Sequence, residues 1–183
     1  MNATIRTHLD NIYSADHVLQ NDAFQTLIRI TDKPVNWAYK AWDELVKGLT
    51  HKDNHVRAIC AQVLNNLAKS DPKETMLMTL PALINVTKDE RFVTARHCMQ
   101  SLWKVGAAGE KQRAKLVQGL EVRFKECIKE KNGTLIRYDI LQCLRNVYDA
   151  TRDEKVKTKA LAWIQTETDE KYRKKYSTLW RSA

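Results

Sequence analysis

The stretch Val56-Arg-Ala-Ile-Cys-Ala-Gln-Val-Leu-Asn-Asn-Leu67 sets apolar side chains at Val56, Cys60, Val63, Leu64 and Leu67. These i, i+4, i+7, i+8, i+11 intervals fall on one stripe of a helix. The same stripe occurs earlier as Leu19, Ala23, Thr26, Leu27 and Ile30, and later as Thr94, Cys98, Ser101, Leu102 and Val105. A fourth copy follows at Ile136, Ile140, Cys143, Leu144 and Val147, so the anchors Leu27, Leu64, Leu102 and Leu144 are spaced by 37, 38 and 42 residues. Another apolar-periodic segment precedes each stripe. These are Ile5, Leu9, Ile12 and Tyr13; then Trp42, Leu45, Val46 and Leu49; then Met76 to Val86; then Leu116, Leu120, Phe124, Cys127 and Ile128. Val156 to Ile164, followed by Tyr172, Tyr176, Leu179 and Trp180, gives a last pair.

The unit is thus a helix pair of about 40 residues, and a period of that length indicates repeats that stack in one dimension. The pattern predicts an all-α protein of about five helix pairs in a single domain over 1–183. Its second helices are expected near 16–31, 53–69, 90–106 and 134–149, with a C-terminal capping pair at 152–182. Asp71-Pro72-Lys73-Glu74 reads as a helix N-terminus, with a capping Asp and Pro at the first helical position. Pro34 is expected to open its helix in the same way. Asn132-Gly133 and the segment from Gly106 to Gly109 supply breaks. No segment keeps a strict alternation, so no sheet is expected.

Asp53-Asn-His-Val56-Arg57-Ala-Ile-Cys-Ala61-Gln-Val-Leu64-Asn-Asn-Leu67 resembles the second helix of a HEAT repeat, in which Asp and Val-Arg precede small and aliphatic residues ending in Leu. Leu80-Pro81-Ala82-Leu83-Ile84 resembles the Pro-containing first helix of that family, and Ile136-Arg137 repeats the apolar-Arg pair. Gln20 and Ala95 stand where Arg would in the first and third units, and Gly133 stands where Asp would in the fourth. These departures speak against a continuous Asp–Arg ladder between repeats. The resemblance implies a right-handed α-solenoid, an α-α superhelix, with the second helix of each pair lining the concave side.

Aligning the four second helices brings Gln25, Gln62, Gln100 and Gln142 to one position, two residues before each anchor, on the side opposite the stripe. Asn21, Ala58, Arg96 and Tyr138 flank them on one side. Ile28-Arg29, Asn65-Asn66, Trp103-Lys104 and Arg145-Asn146 flank them on the other. A Gln amide both donates and accepts, so a column of them suits an extended backbone. Armadillo repeats, relatives of this fold, use an Asn column for peptides, and the resemblance implies a similar groove here. Equally, Gln is an ordinary helix-compatible surface residue. Trp103 beside Arg96 and Arg145 suits stacking on a partner, or serves as a spacer between repeats.

Composition narrows the picture without naming a partner. Only 5 Gly and 3 Pro in 183 residues disfavour turn-rich β folds and Gly-rich phosphate loops. The formal charge is +9, rising from net −1 over residues 1–50 to +4 over 151–183, with Arg173-Lys174-Lys175 its densest run. Such a balance favours an anionic neighbour without specifying one. Four cysteines lack C-x-x-C spacing, and the first residues lack an apolar signal core, so a reducing, cytoplasmic setting is expected. No apolar run suits a membrane span.

Candidate chemistry is sparse. His51 and His55 bracket Asp53, but Asp53 reads as a helix cap, and no metal or other cofactor is expected. His97-Cys98 sets a thiol beside a base, yet Cys98 belongs to the buried stripe. The leading expectation is a non-catalytic scaffold, monomeric or weakly oligomeric, that binds a protein or peptide through Gln25, Gln62, Gln100, Gln142, Arg96, Trp103, Tyr138 and Arg145. The alternative is a nucleic-acid binder acting through the basic C-terminal half, distantly similar to HEAT-like alkylpurine DNA glycosylases. That group uses outward Trp, Asp and Arg, and here Asp139 is expected to turn aside from the concave face.

Overall fold

The computed structural model describes residues 1–181; Ser182, the end of the expected capping pair, lies outside the described residues. The order is α1 (Ala3–Asn11), α2 (His17–Ile30), α3 (Ala38–Gly48), α4 (Asn54–Leu67), α5 (Met76–Val86), α6 (Phe92–Ser101), α7 (Trp103–Ala108), α8 (Glu110–Glu126), α9 (Gly133–Thr151), α10 (Glu154–Gln165) and α11 (Glu170–Thr178). Among the described residues there is no strand. The fold is an all-α solenoid.

Helix starts are dictated locally. Asp16, Asp53, Asp153 and Asp169 each turn a carboxylate onto free N–H groups of the first turn of α2, α4, α10 and α11. The stripes then bury. The anchors Leu27, Leu64, Leu102 and Leu144 are fully enclosed in a core that runs from Leu9 to Trp180. Successive second helices pack side by side, α2 on α4, α4 on α6 and α6 on α9.

That stacking explains where a single-stripe wheel fails. Ten of the fourteen residues of α4 are buried, including Ala58, Asn65 and Asn66, which the wheel places outward. A middle helix touches its own first helix and a neighbour on each flank, so most of its circumference is covered. The amide N–H groups of its buried asparagines donate across those flanks, while Asn65 Oδ1 has no hydrogen-bond partner among the described residues. Asn65 Nδ2 donates to Ser101 Oγ at 2.8 Å, and Asn66 Nδ2 donates to Thr31 Oγ1 at 3.1 Å. At the end of the stack the reverse holds. Leu19, expected in the stripe, is exposed, and Gln20 is buried with its amide donating to Ile12 O at 2.8 Å.

Other expected boundaries move for identifiable reasons. The helix after Asp71-Pro72 begins at Met76, because Glu74 takes a left-handed backbone (φ 58°) and makes a turn first. Asp71 still caps, from across that turn, accepting the Met76 N–H at 2.6 Å. Pro34 does not open α3, which starts at Ala38; instead the Val35 N–H donates to Ser70 Oγ of the next repeat at 2.9 Å. The third second helix breaks at Leu102 and resumes as α7. Gly106 is not the break. It lies inside α7, where a Cβ would meet Val147 at 2.8 Å and Leu116 at 2.9 Å, and the chain turns at Gly109.

Ion pairs tie repeat to repeat where the HEAT-like Arg is present. Arg57 reaches Asp89, 32 residues on, through hydrogen bonds of 2.6 and 2.8 Å. Arg137 reaches Glu167, 30 residues on, at 3.0 Å, with both side chains buried. Both acids precede the next second helix. Where Arg is replaced, at Gln20 and Ala95, the ladder skips, and Arg96 bridges instead to Asp139 on α9. The first helices have their own links, with Arg6 bound twice to Glu44 at 2.7 Å and Trp42 Nε1 donating to Thr79 Oγ1 at 2.9 Å.

Candidate interaction face

The layer of second helices carries a hollow of about 420 Å³ spanning α2, α4 and α6. His17, Asn21 and Phe24 come to it from α2, His55 and Gln62 from α4, and His97 from α6. The His17 and His55 rings stand 5.4 Å apart at 54°. Both follow a capping Asp in the first turn of their helices, so α2 and α4 project them from the same end of the layer. No carboxylate lines the hollow. Asp16 and Asp53, nearby in sequence, accept backbone N–H groups of their own helices.

The four glutamines fall into two states. Gln25 and Gln100 are exposed. Gln62 and Gln142 are half-buried and hydrogen-bonded within their helices, Gln62 to Ala58 O at 3.1 Å and Gln142 to Asn146 Oδ1 at 2.9 Å. Only Gln62 lines the hollow.

The flanking residues are engaged within the protein. Arg96 is fixed by Asp139 at 2.6 and 3.1 Å, and that hydrogen bond pushes its pKa further up. Arg145 is held by Asp149 at 2.9 Å and by Leu179 O at 2.6 Å. Asp139 is buried against Arg96, so it offers no carboxylate to a concave ligand. Trp103 is half-buried against the core, with Lys104 Nζ 6.0 Å from its ring and donating to Asn66 Oδ1. Burial, helped by Lys69 and opposed by Asp32, lowers the pKa of Lys104. Tyr138 is half-buried, with Tyr176 6.5 Å away and Lys175 Nζ 4.9 Å over its ring.

The remaining candidates resolve simply. Asp53 caps α4, accepting the His55 N–H at 2.9 Å while its own N–H donates to His51 Nδ1 at 3.1 Å. Among the described residues, no three His, Cys, Asp or Glu side chains form a metal-binding group. The four thiols are free and buried, and burial pushes Cys60 and Cys98 up to about 12 and Cys143 further still. Reactive thiolates need the opposite environment. No helix among the described residues is long and apolar enough to cross a membrane.

From sequence, His55 was weighed only as a metal ligand with His51, and His97 only as a base beside Cys98; none of the three histidines was placed on the binding face. They occupy different positions in the repeat, so alignment of the stripes does not superpose them; the available signal was the recurrence of His17 and His55 just after capping aspartates, which His97 does not share.

No protein-family model and no curated protein matches the chain. Solved structures do. An engineered protein is 20% identical, covers 98% of this chain and 78% of its own, and superposes with a TM-score of 0.58. A computationally designed armadillo repeat protein for modular peptide recognition is 15% identical, covers 94% and 79%, and has a TM-score of 0.55. A designed armadillo repeat protein in complex with the peptide (KR)4 is 14% identical, covers 98% of each chain, and has a TM-score of 0.51. At these identities the likeness concerns the fold, a helical-repeat solenoid of armadillo type.

Proposed function

We propose that this chain, acting as one domain over 1–183, is a non-catalytic helical-repeat scaffold that binds an extended protein segment along its second-helix face. One observation carries the reading. A hollow runs across three consecutive second helices, with the Gln62 and Asn21 amides at its wall and exposed Gln25 and Gln100 on the same helices. Amides of this kind pair with the N–H and C=O groups that an extended segment leaves free. Designed armadillo proteins of similar fold include one made for modular peptide recognition and one in complex with a peptide, which supports the same use of the face. Four buried free thiols suit a reducing cytoplasm.

The nucleic-acid reading draws on the +9 charge. The arginines it would use, Arg96 and Arg145, are held by Asp139 and Asp149, which favours the peptide reading.

Selection from a displayed random-peptide library tests the proposal. A selected peptide is expected to bind a folded Gln25→Ala/Gln62→Ala/Gln100→Ala variant about tenfold more weakly, a modest loss per amide. Unchanged binding would place the site elsewhere. A library that yields no binder would refute peptide recognition.

A further inference from the structure

Three imidazoles, one from each of three successive second helices, line the hollow, and no carboxylate lines it with them. The surrounding charges are already committed. On α2 and α4, Asp16 and Asp53 cap their helices. On α6, Arg96 is bound to Asp139. On the far side of α2, Asp22 sits 3.8 Å from His8 of α1. Phe24 supplies an apolar wall, and Gln62 and Asn21 supply amide donors.

We infer that the hollow receives a carboxylate side chain of the bound segment, so that the partner is an acidic peptide held more tightly as pH falls. The inference rests on the peptide-binding reading and adds the charge of the ligand to it. A protonated imidazole donates from both ring nitrogens and carries a charge, whereas a neutral one offers one donor and one acceptor. Histidine is the side chain type that makes this change between pH 5 and 8, and a peptide carboxylate stays largely ionised over that window. A basic segment would find no carboxylate there.

The experiment compares fluorescein-labelled (Glu-Ala)5, (Gln-Ala)5, (Lys-Ala)5 and the oligonucleotide dT10 by anisotropy, at pH 5.5 and 8.0. (Glu-Ala)5 is expected to bind best, and about tenfold more tightly at pH 5.5 than at 8.0, as three weak exposed pairs together allow. His17→Gln/His55→Gln/His97→Gln should erase that gain with an unchanged circular-dichroism spectrum, and His55→Gln alone should reduce it. Equal binding of (Gln-Ala)5 or (Lys-Ala)5, tighter binding of dT10, or a gain that survives in the triple variant would overturn the inference. Failure of all three peptides would overturn it as well, while a binder recovered from the random library would leave the broader peptide reading standing.

Discussion

Arg57 and Asp89 face each other through two hydrogen bonds, Nε to Oδ2 at 2.6 Å and Nη2 to Oδ1 at 2.8 Å, with the Asp89 carboxylate almost wholly enclosed. Asp89→Asn is expected to lower stability by roughly 2–4 kcal/mol, because a largely buried guanidinium loses its counter-charge while remaining in place. Urea denaturation with an unchanged slope would measure it. A loss below about 0.5 kcal/mol would mean that the pair contributes little.

The same pair sets an acid limit. Burial alone would raise the pKa of Asp89, but the Arg57 hydrogen bond, the Arg91 N–H and the charges of both arginines outweigh it and hold it below its ordinary value. Asp153, opposed by burial but bound by Arg113, is likewise lowered, and the Arg123 hydrogen bond lowers Glu130. Depressed carboxylates contribute stability above their unfolded pKa of about 4 and lose it as pH falls through the folded value. The urea midpoint should therefore be nearly level from pH 5 to 7 and drop below pH 4, less steeply in Asp89→Asn. Equal slopes in the two proteins would remove Asp89 from the account.

Gly106→Ala is expected to cost about 1–3 kcal/mol, since its Cβ would press on Val147 and Leu116 in the core. Gly119→Ala adds a Cβ at 3.1 Å from the half-buried Ile84 side chain and gains helix propensity, so it should be the more stable variant by over 1 kcal/mol. Parallel thermal melts distinguish them, and reversed order would contradict the packing at α7.

All four thiols should resist Ellman's reagent in the native state and react together on unfolding, as expected of enclosed cysteines with raised pKa values. A fast-reacting native thiol would locate an opening in the core.

Trp37, Trp42, Trp163 and Trp180 are buried, whereas Trp103 is half-exposed. Iodide should quench a minor part of the fluorescence, and Trp103→Phe should remove most of that part. Undiminished quenching in the variant would show that another Trp reaches solvent.

The stripes were legible because a helix needs one apolar face whatever its neighbours do, and that need recurs at 37, 38 and 42 residues through Leu27, Leu64, Leu102 and Leu144. Lateral burial was not. Asn65 and Asn66 read as outward because their partners, Ser101 and Thr31, lie on neighbouring helices that a single wheel does not contain. The turn at Glu74 was hidden for a different reason, since Glu carries no preference for a left-handed backbone and Asp71-Pro72 alone mimics a helix start. Asp139 was expected to turn aside from the concave face, but its pairing with Arg96, 43 residues away and one position off the repeat register, could not be read from spacing. The glutamine column was visible as a column, yet whether each amide is free depends on a local partner such as Ala58 O or Asn146.

Arg137 lies against the Phe124 ring, donates to Phe124 O at 3.1 Å and meets Glu167 beyond α10 at 3.0 Å. The segment joining α10 to α11 thus supplies the counter-ion for a cation two helices upstream. Cutting the chain at the end of α10 would not simply shorten the solenoid by one unit; it would strand a positive charge inside α9's interface. In this protein the terminal unit cannot be exchanged for a generic cap unless the replacement brings a carboxylate to the same spot.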